Sequence, residues 1–506
     1  MRIKWVMPAA AAVLAMSLVA TGCSTGRDGS VASKEKVPAN TAPVKLKIMQ
    51  EGSGVPSPEN DIIKKELDKK LGIDVDMSYT QGITEYLNQL KVRVAAGDYP
   101  DMMLLDLTTL NDFSQKGMLL DLTPYLDNKL KQAKDFMGPS LLKKGVINGK
   151  NYAITRIADV PFGSYWIRKD WLDNLKLQVP QTLDDLMAVS KSFTENDPDG
   201  NGKKDTFAMT GNGMDFSAFS PIFGAYGVGL PGAFYIKDGK VVDSYHDPSM
   251  KDALGYIQKL ISSNYVDPQI MTNKGTMGRD QAFQGKAGIV YSSWTDMGKQ
   301  EFINQYKTIN AKAEWIQISP PKGPGGQFDN SFDSEKPSRL LAIPKSLEKQ
   351  PEKLQKLFDL LNYVSTKEGN QLVMYGIQDR HYKVENGKIM LTELMAKEGN
   401  YFHYYQFTGR PNEEYLKTKF PNEEPMIKFS LSLARIKSFG SSVLPPAGHN
   451  AADAGRFANE ELIKFLYSKR SLAEYPEFLN TLDTTFKYKL LQDEAQKRAK
   501  ELELIK

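Results

Sequence analysis

The chain has 506 residues, of which 25% are charged and 41% hydrophobic, and carries a formal net charge of +4. Removing residues 1–22 takes away Arg2 and Lys4 and leaves +2, a near-neutral balance that gives no sign of a nucleic-acid partner and suits a globular protein with two or more cores. Cys23 is the only cysteine, so no internal disulfide can form and burial must hold the fold.

The N-terminus has the three zones of a secretory leader: Arg2 and Lys4, an apolar run of roughly 15 residues, and small residues before a cut. That run is shorter than a permanent membrane span, which needs about 20 apolar residues. Ala20-Thr21-Gly22-Cys23 resembles a lipobox, although Ala20 stands where Leu is commoner. The expectation is a signal peptide over residues 1–22, removed by signal peptidase II. On this reading a lipid with palmitate-type chains on Cys23 holds the mature chain at the outer face of the cell membrane; the other reading is an ordinary secretory signal in which Cys23 is incidental. Residues 23–43 are rich in Ser, Ala, Thr, Gly, Lys and Pro and have no apolar period, which predicts a disordered tether.

From residue 44 the pattern becomes regular. Val44, Leu46 and Ile48 alternate with Lys45 and Lys47, a strand pattern. A Gly/Ser/Pro loop over 52–58 follows, then Ile63, Leu67 and Leu71 at helical spacing with Gly72 as cap. Ile73, Val75, Met77 and Tyr79 form a second strand, a helix is expected over 84–96, and the apolar run 102–105 reads as a strand buried on both faces. This spacing predicts a parallel sheet with helices on both faces, and Asp106 falls just past a strand end, where open α/β sheets place ligand contacts.

Further on, Asn148-Gly149-Lys150 predicts a hairpin turn leading into a strand at 152–154. A strand is expected at 164–168 and helices at 171–175, 182–192, 249–262, 347–364 and 488–504, with Thr182 and Asp185 capping the second of these helices.

The sharpest local motif is Asp197-Pro198-Asp199-Gly200-Asn201-Gly202-Lys203-Lys204-Asp205. Oxygen-bearing side chains at positions 1, 3, 5 and 9, with glycine at 6, match the first three-quarters of an EF-hand loop, and Lys203 would offer its carbonyl at position 7. Position 12 is Ala208, so the bidentate glutamate is missing. The readings are a structural calcium clip through Asp197, Asp199, Asn201, Lys203 and Asp205, or a turn without an ion. No His or Cys stands nearby to suit zinc.

The leader, the tether, Gly97-Asp98-Tyr99-Pro100-Asp101, Trp166-Ile167-Arg168-Lys169-Asp170-Trp171-Leu172, the loop at Asp197, Phe283-Gln284-Gly285-Lys286-Ala287-Gly288 and Tyr375-Gly376-Ile377 occur in this order. Together they resemble the family 1 extracellular solute-binding proteins, in the large lipoprotein branch that includes alginate-oligosaccharide-binding relatives. The resemblance implies a type II periplasmic-binding-protein-like α/β fold: two lobes joined by hinge strands, a carbohydrate in the cleft, and delivery to the permease subunits of an ABC importer by a monomer. It places the first lobe at 44–157 plus 325–375 and the second at 158–324 plus 376–506. It also strengthens the calcium reading, although Thr206 stands where relatives tend to carry glutamate.

A sugar site needs aromatic rings and polar side chains together. Trp294 is the leading stacking candidate, with core packing as the other reading. Tyr152 and Trp166 flank the first expected crossing between lobes and belong to cleft or core, and Arg168 is a ligand contact or a structural ion pair. Tyr226 is a further candidate for the cleft wall, while Trp171 is assigned to the core. Phe402, His403, Tyr404, Tyr405 and Phe407 supply a second wall or core. The competing functions are a surface glycoside hydrolase and a sensor that presents ligand to a receptor. The Gly-x-Ser-x-Gly match at Gly22 to Gly26 straddles the expected cleavage site and not a strand-to-helix turn, and no His-Glu-x-x-His or phosphate-binding loop is present, so an enzyme is not expected and transport energy must come from an ATPase partner.

Overall fold

A computed structural model describes residues 42–156, 160–336 and 338–506. The leader, Cys23 and nearly all of the tether lie outside the described residues. Among the described residues, no helix is long and apolar enough to cross a membrane.

The first sheet has five strands in the order Ile73–Thr80, Val44–Glu51, Met102–Leu105, Ser338–Ala342, Ile154–Arg156. The first three are parallel, as the strand and helix spacing predicts, and Met102–Leu105 is buried at every position. Ser338–Ala342 enters antiparallel between Met102–Leu105 and Ile154–Arg156, so the sheet is mixed. The strand expected at 152–154 lies at Ile154–Arg156, after the hairpin of Val146–Ile147 with Lys150–Asn151.

Local chemistry sets the helix ends. Gly72 closes Ile62–Leu71 at φ 63°, a left-handed value that glycine adopts without strain. Thr182 and Asp185 form a reciprocal capping box on Leu183–Glu195. The helix expected over 347–364 divides into a 3-10 turn, Lys345–Lys349, and the helix Pro351–Val364. Pro351 lacks an N–H and therefore starts a helix better than it continues one.

A second sheet has the order Trp315–Ile318, Gly163–Arg168, Ala287–Ser293, Phe207–Thr210. A third has the order Lys240–Asp243, Phe234–Lys237, Ile436–Ser438, Ser331–Asp333. One apolar core surrounds the first sheet and includes Phe402, Tyr405 and Phe407. Another lies beneath the second and third sheets, and a smaller one gathers Trp166, Trp294, Trp315, Tyr375 and Tyr415. Two short connections join the sheets: Arg156 to Gly163, and Asp333 to Ser338. The chain also returns to the first core over 395–407.

Candidate ligand-binding site

Strand direction decides where this fold presents its polar groups. In the first sheet the parallel strands end at Glu51, Thr80 and Leu105, and Ile154–Arg156 ends on the same side at Arg156. Ser338–Ala342 begins there, because Leu340 pairs with Leu105. One edge thus gathers Glu51, Thr80, Asp106, Arg156 and Arg339, outside the carboxyl ends of the parallel strands, where open α/β sheets bind ligands.

Tyr404, from the 3-10 segment Gly399–Tyr405, closes over this edge. Its hydroxyl accepts from Ser53 N at 2.9 Å and donates to Ser53 O at 3.1 Å, and its carbonyl accepts from Gln50 Nε2 at 3.1 Å. Residue 52 must be glycine, because a Cβ there would stand 2.5 Å from the Tyr404 ring. The Tyr79 and His403 rings lie 4.8 and 4.1 Å from that of Tyr404. Burial, with Arg156 and Arg339 adding to it, holds His403 down at about 4, so the ring is neutral at pH 7. Gln406 Oε1 accepts from Arg156 Nη2 at 3.2 Å and from Arg410 Nη1 at 2.8 Å.

The second sheet offers an edge at the other end of the Arg156-to-Gly163 connection, where Ser293 pairs with Gly163. Buried Asp329 stands here. Its Oδ2 accepts from Tyr291 Oη at 3.0 Å and from Arg435 Nη2 at 3.2 Å, and Arg435 also donates to Gly163 O at 3.0 Å. Asn330 Nδ2 donates to Tyr291 Oη at 3.0 Å, while Asp329 Oδ1 and Asn330 Oδ1 are buried without a hydrogen-bond partner. Two edges with aromatic rings, charged groups and unspent acceptors can bind a polyhydroxylated ligand.

Residues 53–371 match the family described as bacterial extracellular solute-binding protein. The chain belongs to that family. Its relatives include Lipoprotein LipO of Bacillus subtilis (strain 168), 27% identical over 80% of this chain and 78% of LipO. The polygalacturonan/rhamnogalacturonan-binding protein YtcQ of the same organism is 29% identical over 78% of each chain. The crystal structure of alginate-binding protein AlgQ2 without calcium ion superposes with a TM-score of 0.65 at 19% identity, covering 91% of this chain and 98% of that one. That likeness shows the fold: this solute-binding protein has two α/β lobes, as the family resemblance implies, and belongs to a family of binding proteins rather than enzymes.

The residues singled out from the sequence are dispersed in the solute-binding fold. Trp294 is fully buried, edge-on to Phe162 at 5.8 Å and Phe420 at 5.3 Å, so its ring offers no free face. Trp166 is buried and donates from Nε1 to Ser292 O at 3.1 Å. Arg168 is buried, ion-paired to Asp170 at 2.5 Å, and its guanidinium carbon lies 4.8 Å from the Trp171 ring centre and 5.8 Å from that of Trp315. Trp171 is core, as assigned. Tyr152 is half-buried against the first core. Asp106 lies at the first edge but caps the helix Leu107–Gln115, accepting from Thr109 N at 2.7 Å. Tyr226 is half-buried in a groove of about 840 Å³ that it shares with Phe328 and with Arg435 of the second edge. Within the aromatic cluster, Phe402, Tyr404, Tyr405 and Phe407 all belong to the first core; the half-buried His403 ring packs on that of Tyr404, whose hydroxyl reaches Ser53 at the edge. Glu51, Ser53, Tyr79, Arg339, Asp329 and Arg435 carried no local signal, because strand pairing between distant segments brings them together.

The loop at Asp197 folds on itself. Asn201 Nδ2 donates to Asp199 Oδ2 at 2.9 Å and Asp205 Oδ1 at 3.2 Å, while Gly202 N and Asn201 N donate to the Asp197 carboxylate at 2.9 and 3.0 Å. The Gly202 N–H holds Asp197 below the usual carboxylate range, and burial beside Asp197 pushes Asp199 up. Thr206 turns away and donates to Phe193 O at 2.8 Å. Among the described residues, no three Asp, Glu, His or Cys side chains are gathered so as to hold a metal by themselves. The loop's donor set adds an amide and a backbone carbonyl.

Proposed function

We propose that this solute-binding protein is a lipid-anchored receptor, working as a single chain, that captures an oligosaccharide between its lobes and hands it to the permease subunits of an ABC importer. The observation that carries this reading is the strand edge where Tyr79, His403 and Tyr404 stand beside Glu51 and Arg339. Rings pack on the C–H faces of a sugar while charged and amide groups take its hydroxyls, and closing one lobe on the other removes water from both. YtcQ and AlgQ2 are named for polysaccharide ligands, which supports a carbohydrate here. The description of LipO as a lipoprotein supports an anchor at Cys23 and an outer-face location.

The same reading includes one structural calcium ion in the loop, held by Asp197, Asp199, Asn201, the Lys203 carbonyl and Asp205. The fit is chemical. Asn201 already brings Asp199 and Asp205 within hydrogen-bond reach of one amide, and turning that amide would present oxygens alone to a hard cation. Calcium would join the helix Leu183–Glu195 to the strand Phe207–Thr210.

A thermal-shift screen of the full-length protein against oligosaccharides and peptides tests the reading. Ligand at about 100 times its Kd adds about 2.7 kcal/mol to stability, so a binding sugar raises Tm by several degrees. Stabilisation by peptides and by no oligosaccharide refutes it.

A further inference from the structure

The two connections between the sheets make a pivot, and one flank of that pivot carries contacts of its own. The connections leave the first sheet from Ile154–Arg156 and Ser338–Ala342, neighbours at one end of the strand order, whereas Glu51 and Thr80 end strands toward the other. Beside Ile154–Arg156, the outermost strand, stand the helix Lys131–Lys143 and the hairpin that leads into that strand. Facing them is the C-terminal helix Tyr488–Glu501, which Gln492 ties to Asp243 of the third sheet at 2.8 Å. A crevice of about 750 Å³ lies between, lined by Lys143, Asn148 and Gly149 on one side and by Arg498 and Glu501 on the other.

Two adjacent lysines bridge this flank. Lys144, just past the end of its helix, is buried, and its Nζ donates to Ser334 O at 2.7 Å, within the connection that runs from Asp333 to Ser338. Burial lowers its pKa while Asp333 and Glu335 oppose the shift, so the connection that the ammonium grips also supplies the charges that steady it. The third sheet holds the same segment from its own side: Ser334 N donates to Ser438 O at 3.2 Å, and Ser441 N to Asp333 Oδ2 at 2.8 Å. Lys143 pairs with Glu503 at 2.9 Å. Glu503 follows the C-terminal helix with φ 60°, a left-handed position that glycine usually fills and that strains other residues. That turn brings its carboxylate to the lysine.

Rigid sheets that rotate about connections placed side by side cannot close on both flanks at once. Rotation that brings the second sheet over Glu51 and Tyr404 widens the crevice, drawing Glu503 from Lys143 and Ser334 from Lys144. We propose that Lys143 and Lys144 form a latch that holds the ligand-free lobes apart, and that closure requires its release. The latch lies away from the candidate edge, so it sets how often the lobes close without touching what they hold.

Small-angle X-ray scattering of the full-length protein, with no sugar present, provides the test. Lys143→Glu turns an attraction across the crevice into a repulsion, and Lys144→Met removes the grip on Ser334. Each should lower the radius of gyration, and together they should shift the open-to-closed ratio about tenfold or more. Exchanging the charges, Lys143→Glu with Glu503→Lys, should restore the parent value. Lys131→Glu breaks an ion pair inside the same helix and should change nothing. Raising salt from about 50 to about 500 mM should shrink the parent part of the way, because the exposed Lys143–Glu503 pair is screened. Lys143 is half exposed, so its variants keep the fold even where Lys144→Met does not. A radius that stays at the parent value or rises in Lys143→Glu, a charge exchange that fails to restore it, or equal shrinkage in Lys131→Glu would overturn the latch.

Discussion

Asp329 offers a quantitative test of how the edge of the second sheet is held. Its side chain is fully buried, Oδ1 accepts nothing, and burial pushes the carboxyl up to about 6 despite the opposing pull of Arg435 and Tyr291. An acid raised above its unfolded value of 3.8 binds its proton more tightly when folded. It therefore contributes stability below about pH 4 that is lost as pH rises through about 6, after which the dependence is flat. At about 1.4 kcal/mol for each factor of ten in proton affinity, the loss is about 3 kcal/mol. Comparing urea unfolding of the parent and Asp329→Asn from pH 4 to pH 7.5 isolates this group, because all other titrations are shared. Removing Arg435's charged partner shifts the variant's whole curve by a constant, and the slope of the difference is what is read. The parent should lose about 3 kcal/mol relative to the variant over that range. A difference that is flat, or that grows in the parent's favour as pH rises, would mean that the Arg435 ion pair outweighs burial and that the reasoning is wrong.

Chelator should lower the Tm of the full-length protein, and Asp197→Ala should abolish that sensitivity; a Tm indifferent to both refutes calcium in the loop. Cys23→Ala should move the protein from the membrane fraction to the medium of expressing cells, and membrane retention by the variant would count against lipid attachment. Gly224→Ala places a Cβ 1.9 Å from Phe328 O, a backbone atom that cannot swing aside, so the variant should lose about 1–3 kcal/mol by chemical denaturation. Tyr404→Phe leaves Ser53 N and O without their shared partner and should cost about 1–3 kcal/mol while weakening sugar binding, and unchanged affinity would place Tyr404 outside the site.

The contrast between what the sequence reveals and what it hides follows from where periodicity carries information. Strand interiors and helix faces are legible because side-chain direction repeats: the buried run Met102–Leu105, the capping box at Thr182 and the helix Ser249–Ser262 all lie where local pattern places them. Chemistry-bearing residues found within such patterns are held by them. Trp166 and Arg168 sit two apart on one strand between covered faces, so the arginine is spent on Asp170, Trp171 and Trp315 rather than on a ligand. Binding groups in an open sheet instead collect where the pattern stops, at strand ends and bulges. Glu51, Arg339 and Tyr404 meet only because Ser338–Ala342 pairs with Met102–Leu105 and a 3-10 turn folds back over both. The position of Asp106 can be read locally, since a strand end shows in its own apolar run, but its carboxylate caps the helix Leu107–Gln115. The order of strands around it cannot be read in this way, because pairing partners separated by most of the chain leave no mark on one another's period.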